Sequence, residues 1–167
     1  MSHIEHKSQP FEQLRVMVLT ISDTRHELTD KSGQLMLSLL KKNRYEVTDY
    51  QVVKDEKEEI EAALLAGCES DRIDVILTNG GTGLSKRDVT YEVIEELIEK
   101  TIPGYGEVFR MLSYEEIGSA SMLSRAIAGI KGETVIFSTP GSTNAVRLAM
   151  EKLILPELHH IASELKK

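Results

Sequence analysis

Several things are scarce in this sequence of 167 residues, and each scarcity excludes something. A single cysteine, Cys68, rules out an internal disulfide and fits a reducing compartment. It also leaves no cysteine–histidine spacing for a structural zinc. No apolar run approaches the roughly 20 residues that a membrane span requires. Met1 to Pro10 are polar and contain no apolar signal core, so a cytoplasmic location is expected. Basic residues are in deficit, 20 Lys and Arg against 27 Asp and Glu, for a formal charge of −7. That balance argues against bulk binding to nucleic acid or to an anionic membrane. An anionic ligand would have to be held by local donors working against the overall field. There is no linker, low-complexity tract or internal repeat.

What is present describes one ordinary globular unit. Apolar residues make up 41% and charged residues 28%, a composition that buries a core rather than remaining disordered. The length suits one domain. Residues 1–12 read as an N-terminal extension and 13–167 as a single domain.

Four segments have the pattern of strands. Val16–Ile21, Val75–Leu77 and Thr134–Phe137 are near-continuous apolar runs, as in strands covered on both faces. Tyr45–Val53 is more mixed, with Glu46, Asp49 and Gln51, and reads as closer to an edge. Helical spacing appears at Leu35, Leu39 and Leu40, with Asp30 placed to cap, then at Ile60, Ala63 and Leu64, and again at Ile94, Leu97 and Ile98. A short helix is expected around Val108 to Leu112, and a final one from about Asn144 that bends or breaks near Pro156. Alternating strands and helices predict right-handed crossovers and a largely parallel sheet. The stretch from Pro103 to Gly132 reads as an elaboration of the same domain.

Open parallel sheets bind ligands beyond the carboxyl ends of their strands. Those ends run into Ser22-Asp23-Thr24, Lys54-Asp55, Thr78-Asn79-Gly80-Gly81-Thr82-Gly83 and Ser138-Thr139-Pro140-Gly141-Ser142. Parallel strands place all four exits on one edge. In the loop from Gly80 to Gly83, glycine permits positive φ and a close ligand approach, so successive N–H groups can face an anion. A tight strand-to-helix turn would use the same residues. The loop is neither a P-loop nor a dinucleotide fingerprint, since Lys86 stands where a third glycine would be. Arg87 can pair with phosphate oxygens, and Asp88 can hold a magnesium ion that bridges them. Asp88 or Thr90 would serve equally as a helix cap, and Asp55 with Glu58 has the spacing of a capping box. Two carboxylates, a hard cation and a polyphosphate together suit phosphoryl or nucleotidyl transfer.

Other candidates carry less. Arg110 and Arg125 can reach an anion or lie at the surface. Cys68 has no histidine partner marked in the sequence. His159 and His160 point roughly 100° apart on a helix, which disfavours joint metal binding. The acidic runs Glu56–Glu61 and Glu92–Glu99 read as solvated helix faces.

These segments together resemble the molybdenum cofactor biosynthesis family that includes MoaB, MogA and the G domain of gephyrin. The resemblance covers nearly the whole chain. It is carried by Leu19-Thr20-Ile21-Ser22-Asp23-Thr24, Asp30-Lys31-Ser32-Gly33, Thr78 to Gly83 with Arg87-Asp88-Val89-Thr90, Ser124-Arg125-Ala126-Ile127-Ala128-Gly129, and Pro140-Gly141-Ser142. Pro140-Gly141-Ser142-Thr143 departs from the Pro-Gly-Asn-Pro of the MogA and gephyrin branch. With Gly106 to Ser113, it places the chain nearer the MoaB type. The resemblance implies a three-layer α/β/α sandwich with a mostly parallel central sheet, and a homotrimer or hexamer. It further implies adenylation of molybdopterin by ATP with Mg2+, in which Asp55 and Asp88 are catalytic and hold the metal. Ser22, Asp23, Thr78, Gly80, Gly81, Thr82, Gly83, Arg87, Ser124, Pro140, Gly141 and Ser142 would line the ligand site. The alternative is a molybdopterin-binding or assembly protein of the same pathway that does not adenylate.

Overall fold

The computed structural model describes residues 13–167, so the N-terminal extension expected over 1–12 lies outside the described residues. Six strands form one sheet: β1 (Arg15–Ile21), β2 (Glu46–Val53), β3 (Val75–Asn79), β4 (Lys100–Thr101), β5 (Ile127–Lys131) and β6 (Thr134–Thr139). Their order across the sheet is β2-β1-β3-β6-β5-β4. The β1–β2, β1–β3 and β3–β6 pairs are parallel, whereas β5 runs antiparallel to both β6 and β4. The helices are α1 (Lys31–Lys42), α2 (Lys57–Glu69), α3 (Thr90–Leu97), α4 (Pro103–Ile117), α5 (Thr143–Ala149) and α6 (Leu155–Leu165).

The layers follow from the period-two alternation of a strand. Val16 and Val18 of β1, Val75 and Leu77 of β3, and Val135 and Phe137 of β6 pack with α1, α4, α5 and α6. The residues between them, Met17, Leu19, Ile76 and Ile136, pack with α2 and α3. A strand buried on both faces has to be apolar at every position, which is why the central strands read as continuous runs. Full burial of each such aliphatic side chain contributes roughly 1.5–3 kcal/mol. The sandwich expected from the sequence is therefore observed.

Two differences stand out. The sheet has six strands where four were legible, because β4 is two exposed residues and β5 is interrupted by Gly129. Gly129 is there for packing: a Cβ would come within 2.6 Å of Ile98 Cδ1 and 2.8 Å of Lys100 O. The short helix expected at Val108–Leu112 extends over Pro103–Ile117, with Pro103 in its first turn, where a missing N–H costs nothing. The irregularity expected near Pro156 is a widened π turn over Met150–Ile154 that joins α5 to α6.

The β1 strand is followed in sequence by its neighbour on one side and in space by β3 on the other. This reversal of winding opens a crevice at the carboxyl ends of β1 and β3. Thr20 lies opposite Asn79 at that end, and Asn79 opposite Thr139.

Candidate functional site

The floor of the crevice is built from buried, uncharged groups. Asn79 donates from Nδ2 to Thr20 Oγ1 at 2.9 Å, and Tyr105 and Thr139 share a hydroxyl hydrogen bond of 2.9 Å. Burial pushes the Tyr105 pKa above its usual value, so the phenol stays neutral. Gly80 N donates to Thr139 O at 3.0 Å, tying the glycine loop to the last strand. The loop backbone then turns left-handed, with φ of +99° at Gly80 and +72° at Gly81. A Cβ on Gly80 would fall 2.1 Å from Ile21 O, and one on Gly81 would fall 2.1 Å from Thr90 Oγ1 and 3.2 Å from Asp55 Oδ1. Glycine at 80 and 81 is therefore required by both backbone angle and space.

Asp55 and Asp88 stand on two sides of this loop. Asp55 accepts from Asp23 N through Oδ2 at 3.1 Å, and Asp23 Oδ1 accepts from Asp55 N at the same distance. Asp88 Oδ2 accepts from Ser85 N at 3.0 Å and from Ser85 Oγ at 2.6 Å, closing the turn after Gly83. Neither aspartate is a helix cap. The residue flanking α3 is Val89, that flanking α2 is Glu56, and neither helix has a side-chain cap. Thr90 lies inside α3, its hydroxyl buried without a partner. Burial, then the charges of Asp23 and Asp88, raise the Asp55 pKa above the ordinary carboxylate value. The neighbourhood is thus over-supplied with negative charge.

Arg87 meets only part of that excess. It reaches Asp23 through Nε at 3.0 Å and Nη2 at 2.9 Å, and Glu56 through Nη2 at 2.8 Å. The ion pair holds the Asp23 carboxyl below its usual pKa. Glu56, read from the sequence as a solvated charge, is in fact this arginine's second partner. Glu92 is likewise bound, to Arg125.

Among the described residues no group of three or more His, Cys, Asp or Glu side chains is arranged to hold a metal ion. A hard cation at Asp55 and Asp88 would therefore take further oxygens from a bound phosphate, as magnesium commonly does. The carboxylates suit that role. In each, the protein donors fall on Oδ2, and Asp55 Oδ1 faces Gly81.

The remaining expected residues fall at the same edge. Ser22 Oγ accepts from Thr24 N and Arg25 N, both at 3.2 Å, and turns the chain after β1. Thr78 and Thr82 are buried in and beside β3, and the Thr78 hydroxyl has no partner. Pro140-Gly141-Ser142 comes up against the glycine loop, a Cβ on Gly141 being 3.3 Å from Gly80 Cα. Ser142 caps α5 by accepting from Ala145 N. Ser124 is the outlier: it lines a neighbouring cleft beside α4.

Three residues that hold the site had little signal in the sequence. Arg25 donates from Nη2 to Gly141 O at 2.9 Å, and Ser32 Oγ donates to the same carbonyl at 2.6 Å. Arg125 spans the far side of the glycine loop, donating to Gly83 O at 2.8 Å and Asp88 O at 2.9 Å. Local motifs marked the neighbourhood of Ser32 and Arg125, but their partners lie 109 and 42 residues away. Ser32 also explains its own motif: Asp30 caps α1 by accepting from Gly33 N, and a Cβ at position 33 would strike that carboxylate at 2.0 Å.

A profile described as "Probable molybdopterin binding domain" matches residues 17–160, which contain every element just described except the first two residues of β1 and the end of α6. The chain belongs to the molybdenum cofactor biosynthesis family. It is similar to molybdenum cofactor biosynthesis protein B of Bacillus cereus, 58% identical over 168 aligned residues that cover 100% of this chain and 99% of that one. A crystal structure of a molybdenum cofactor biosynthesis protein B superposes with a TM-score of 0.91 at 58% identity, covering 95% of this chain and 99% of the other. The tungsten cofactor synthesizing protein MoaB from Pyrococcus furiosus superposes at 0.84 with 40% identity, covering 95% and 100%. Within the family, these relatives agree with the placement near the MoaB type.

Proposed function

We propose that this chain adenylates molybdopterin within molybdenum cofactor biosynthesis. A terminal phosphate oxygen of molybdopterin attacks the α-phosphorus of ATP, the bond to the β-phosphate oxygen breaks, and adenylyl-molybdopterin and pyrophosphate leave. The observation that carries this reading is Asp55, whose Oδ1 faces Gly81 and whose carboxyl is raised in pKa by burial and by the nearby charges of Asp23 and Asp88, of which Arg87 pairs only Asp23. Binding alone does not need such a concentration of carboxylates around a phosphate loop. Transfer between two phosphates does, because it depends on alignment and charge neutralisation rather than on a strong base.

Asp55 and Asp88 would hold magnesium, which supplies the positive charge that the phosphates and carboxylates lack. The chain's own groups do the rest. The backbone donors of Gly81 to Gly83 would meet the phosphate, while Arg125 holds Gly83 O and Asp88 O. Arg25 and Ser32 hold the Pro140–Ser142 loop over the other side through Gly141 O. Ser22 and Asp23 close the wall after β1.

The reading includes self-association into a homotrimer or hexamer. Its support is an exposed apolar surface on α4 and the 3-10 turn after it, where Met111, Tyr114, Ile117 and Leu123 face outward. Light scattering on the purified chain tests this part separately.

Incubation with molybdopterin, magnesium and labelled ATP tests the chemistry. The chain should form adenylyl-molybdopterin, and Asp88→Ala should form none while keeping its fold and assembly. Wild-type turnover by that variant would overturn the assignment. Binding of molybdopterin without transfer would make the chain a binding or assembly protein.

A further inference from the structure

Arg110, on α4, is a guanidinium that the adenylation mechanism leaves unused. It is half-buried, and Nη1 donates to Ser124 O at 3.3 Å and to Ala126 O at 3.2 Å. One turn earlier stands Gly106, where a Cβ would lie 2.9 Å from Nη2 and 2.7 Å from Ala126 O. The glycine thus leaves room for the Ala126 carbonyl and for the guanidinium that donates to it. Two carbonyls anchor it there. Among the described residues these are its only hydrogen bonds, and no carboxylate approaches within 4.0 Å of it. Both bonds leave from Nη1, so Nε and Nη2 have no acceptor among the described residues and can receive an oxyanion.

The guanidinium lines a cleft of about 500 Å³ between α3, α4 and β5, within the range of small-molecule pockets. Ile102, Pro103, Met122 and Ala126 give it an apolar wall, and Ser124, which also lines it, has a buried hydroxyl with no hydrogen-bond partner. The neighbouring Arg125 is already engaged, by Gly83 O, Asp88 O and Glu92, so the cleft has one available cation. Exposed Glu107 lines it as well and opposes any ligand carrying more than one negative charge.

We propose that this cleft is a second ligand site, specific for a small monoanion: a carboxylate received by Arg110 and Ser124, with an apolar body on Ile102, Pro103 and Met122. It is separate from the glycine loop, which suits polyphosphates, and its argument does not depend on the adenylation reading.

Benzoate is a suitable probe and inorganic phosphate the comparison. The side-chain Nε–H resonance of Arg110 in the full chain should shift saturably with benzoate, and more weakly with phosphate. Arg110→Gln should weaken benzoate binding about tenfold or more. Ser124→Ala, a milder change, should weaken it about threefold. Asp88→Asn should leave it unchanged, which separates this site from the glycine loop. Absence of a saturable shift, or equal affinity in Arg110→Gln and Ser124→Ala, overturns the proposal. So does equal preference for phosphate, or a response that tracks self-association and marks another copy's carboxylate as the occupant.

Discussion

Beneath the glycine loop, Thr20, Asn79, Thr139 and Tyr105 are buried and joined by neutral hydrogen bonds, whereas at its rim Asp23, Glu56 and Arg87 are exposed and joined by ion pairs. The two regions lie within a few residues of each other, yet they tolerate change differently. A buried neutral pair costs the full desolvation of whichever group is left alone. An exposed ion pair is cushioned by water and salt, so its loss costs little. The floor therefore sets the shape of the site, and the rim adjusts its charge without threatening the fold.

The largest effect should come from the floor. Gly80→Ala places a Cβ against Ile21 O at a left-handed φ, and should lower unfolding stability by about 3 kcal/mol in urea titration. A loss under about 1 kcal/mol would show that the loop can shift away from β1. Tyr105→Phe comes next. It strands the buried Thr139 hydroxyl and should cost about 1–2 kcal/mol by the same measurement.

Asp55→Asn lies between the two regions and should reverse the sign. The carboxyl's folded pKa is raised, so the fold favours its protonated form and the ionised form is a cost at neutral pH. That cost is absent well below the unfolded value of about 3.9, where both states are protonated, grows as pH rises from there toward the folded pKa, and is complete above it. Thermal melts should show the variant slightly more stable than wild type near pH 7 and level with it in acid, while adenylate transfer is lost. A destabilised variant at neutral pH would mean that the carboxylate's hydrogen bond from Asp23 N outweighs the repulsion.

The smallest effect belongs to the rim. Arg87→Gln should leave the unfolding midpoint close to that of wild type, because its partners are exposed. Its clearer signature is Asp23, whose carboxyl titration by NMR should move up toward the ordinary value. Asp23's lowered pKa contributes stability above that value, and the contribution fades as pH falls through the folded pKa. The difference between Arg87→Gln and wild type should therefore shrink in acid.

Much of this arrangement was legible before folding. The apolar runs of β1, β3 and β6 marked strands buried on both faces, and the polar and glycine residues after them marked the crevice. The hairpin of β5 with β4 was not legible, since Lys100 and Thr101 are exposed and Gly129 breaks the pattern. Nor was the start of α4, hidden by Gly104 and Gly106, the latter kept small chiefly by the Ala126 carbonyl.

Residue order alone determined which chemistry stands at each strand exit: glycines after β3, a carboxylate after β2, a Pro-Gly turn after β6. Those choices are local, dictated by backbone angles and by strand periodicity. Only the tertiary structure decided the partners. Arg87, marked in the sequence as able to pair with phosphate, rests on Asp23 and Glu56, which are 64 and 31 residues away. Arg125, which the sequence left as either an anion contact or a surface residue, braces the glycine loop across 42 residues. Long side chains reach whatever acceptor the fold brings near, and local spacing in the sequence does not record that distance.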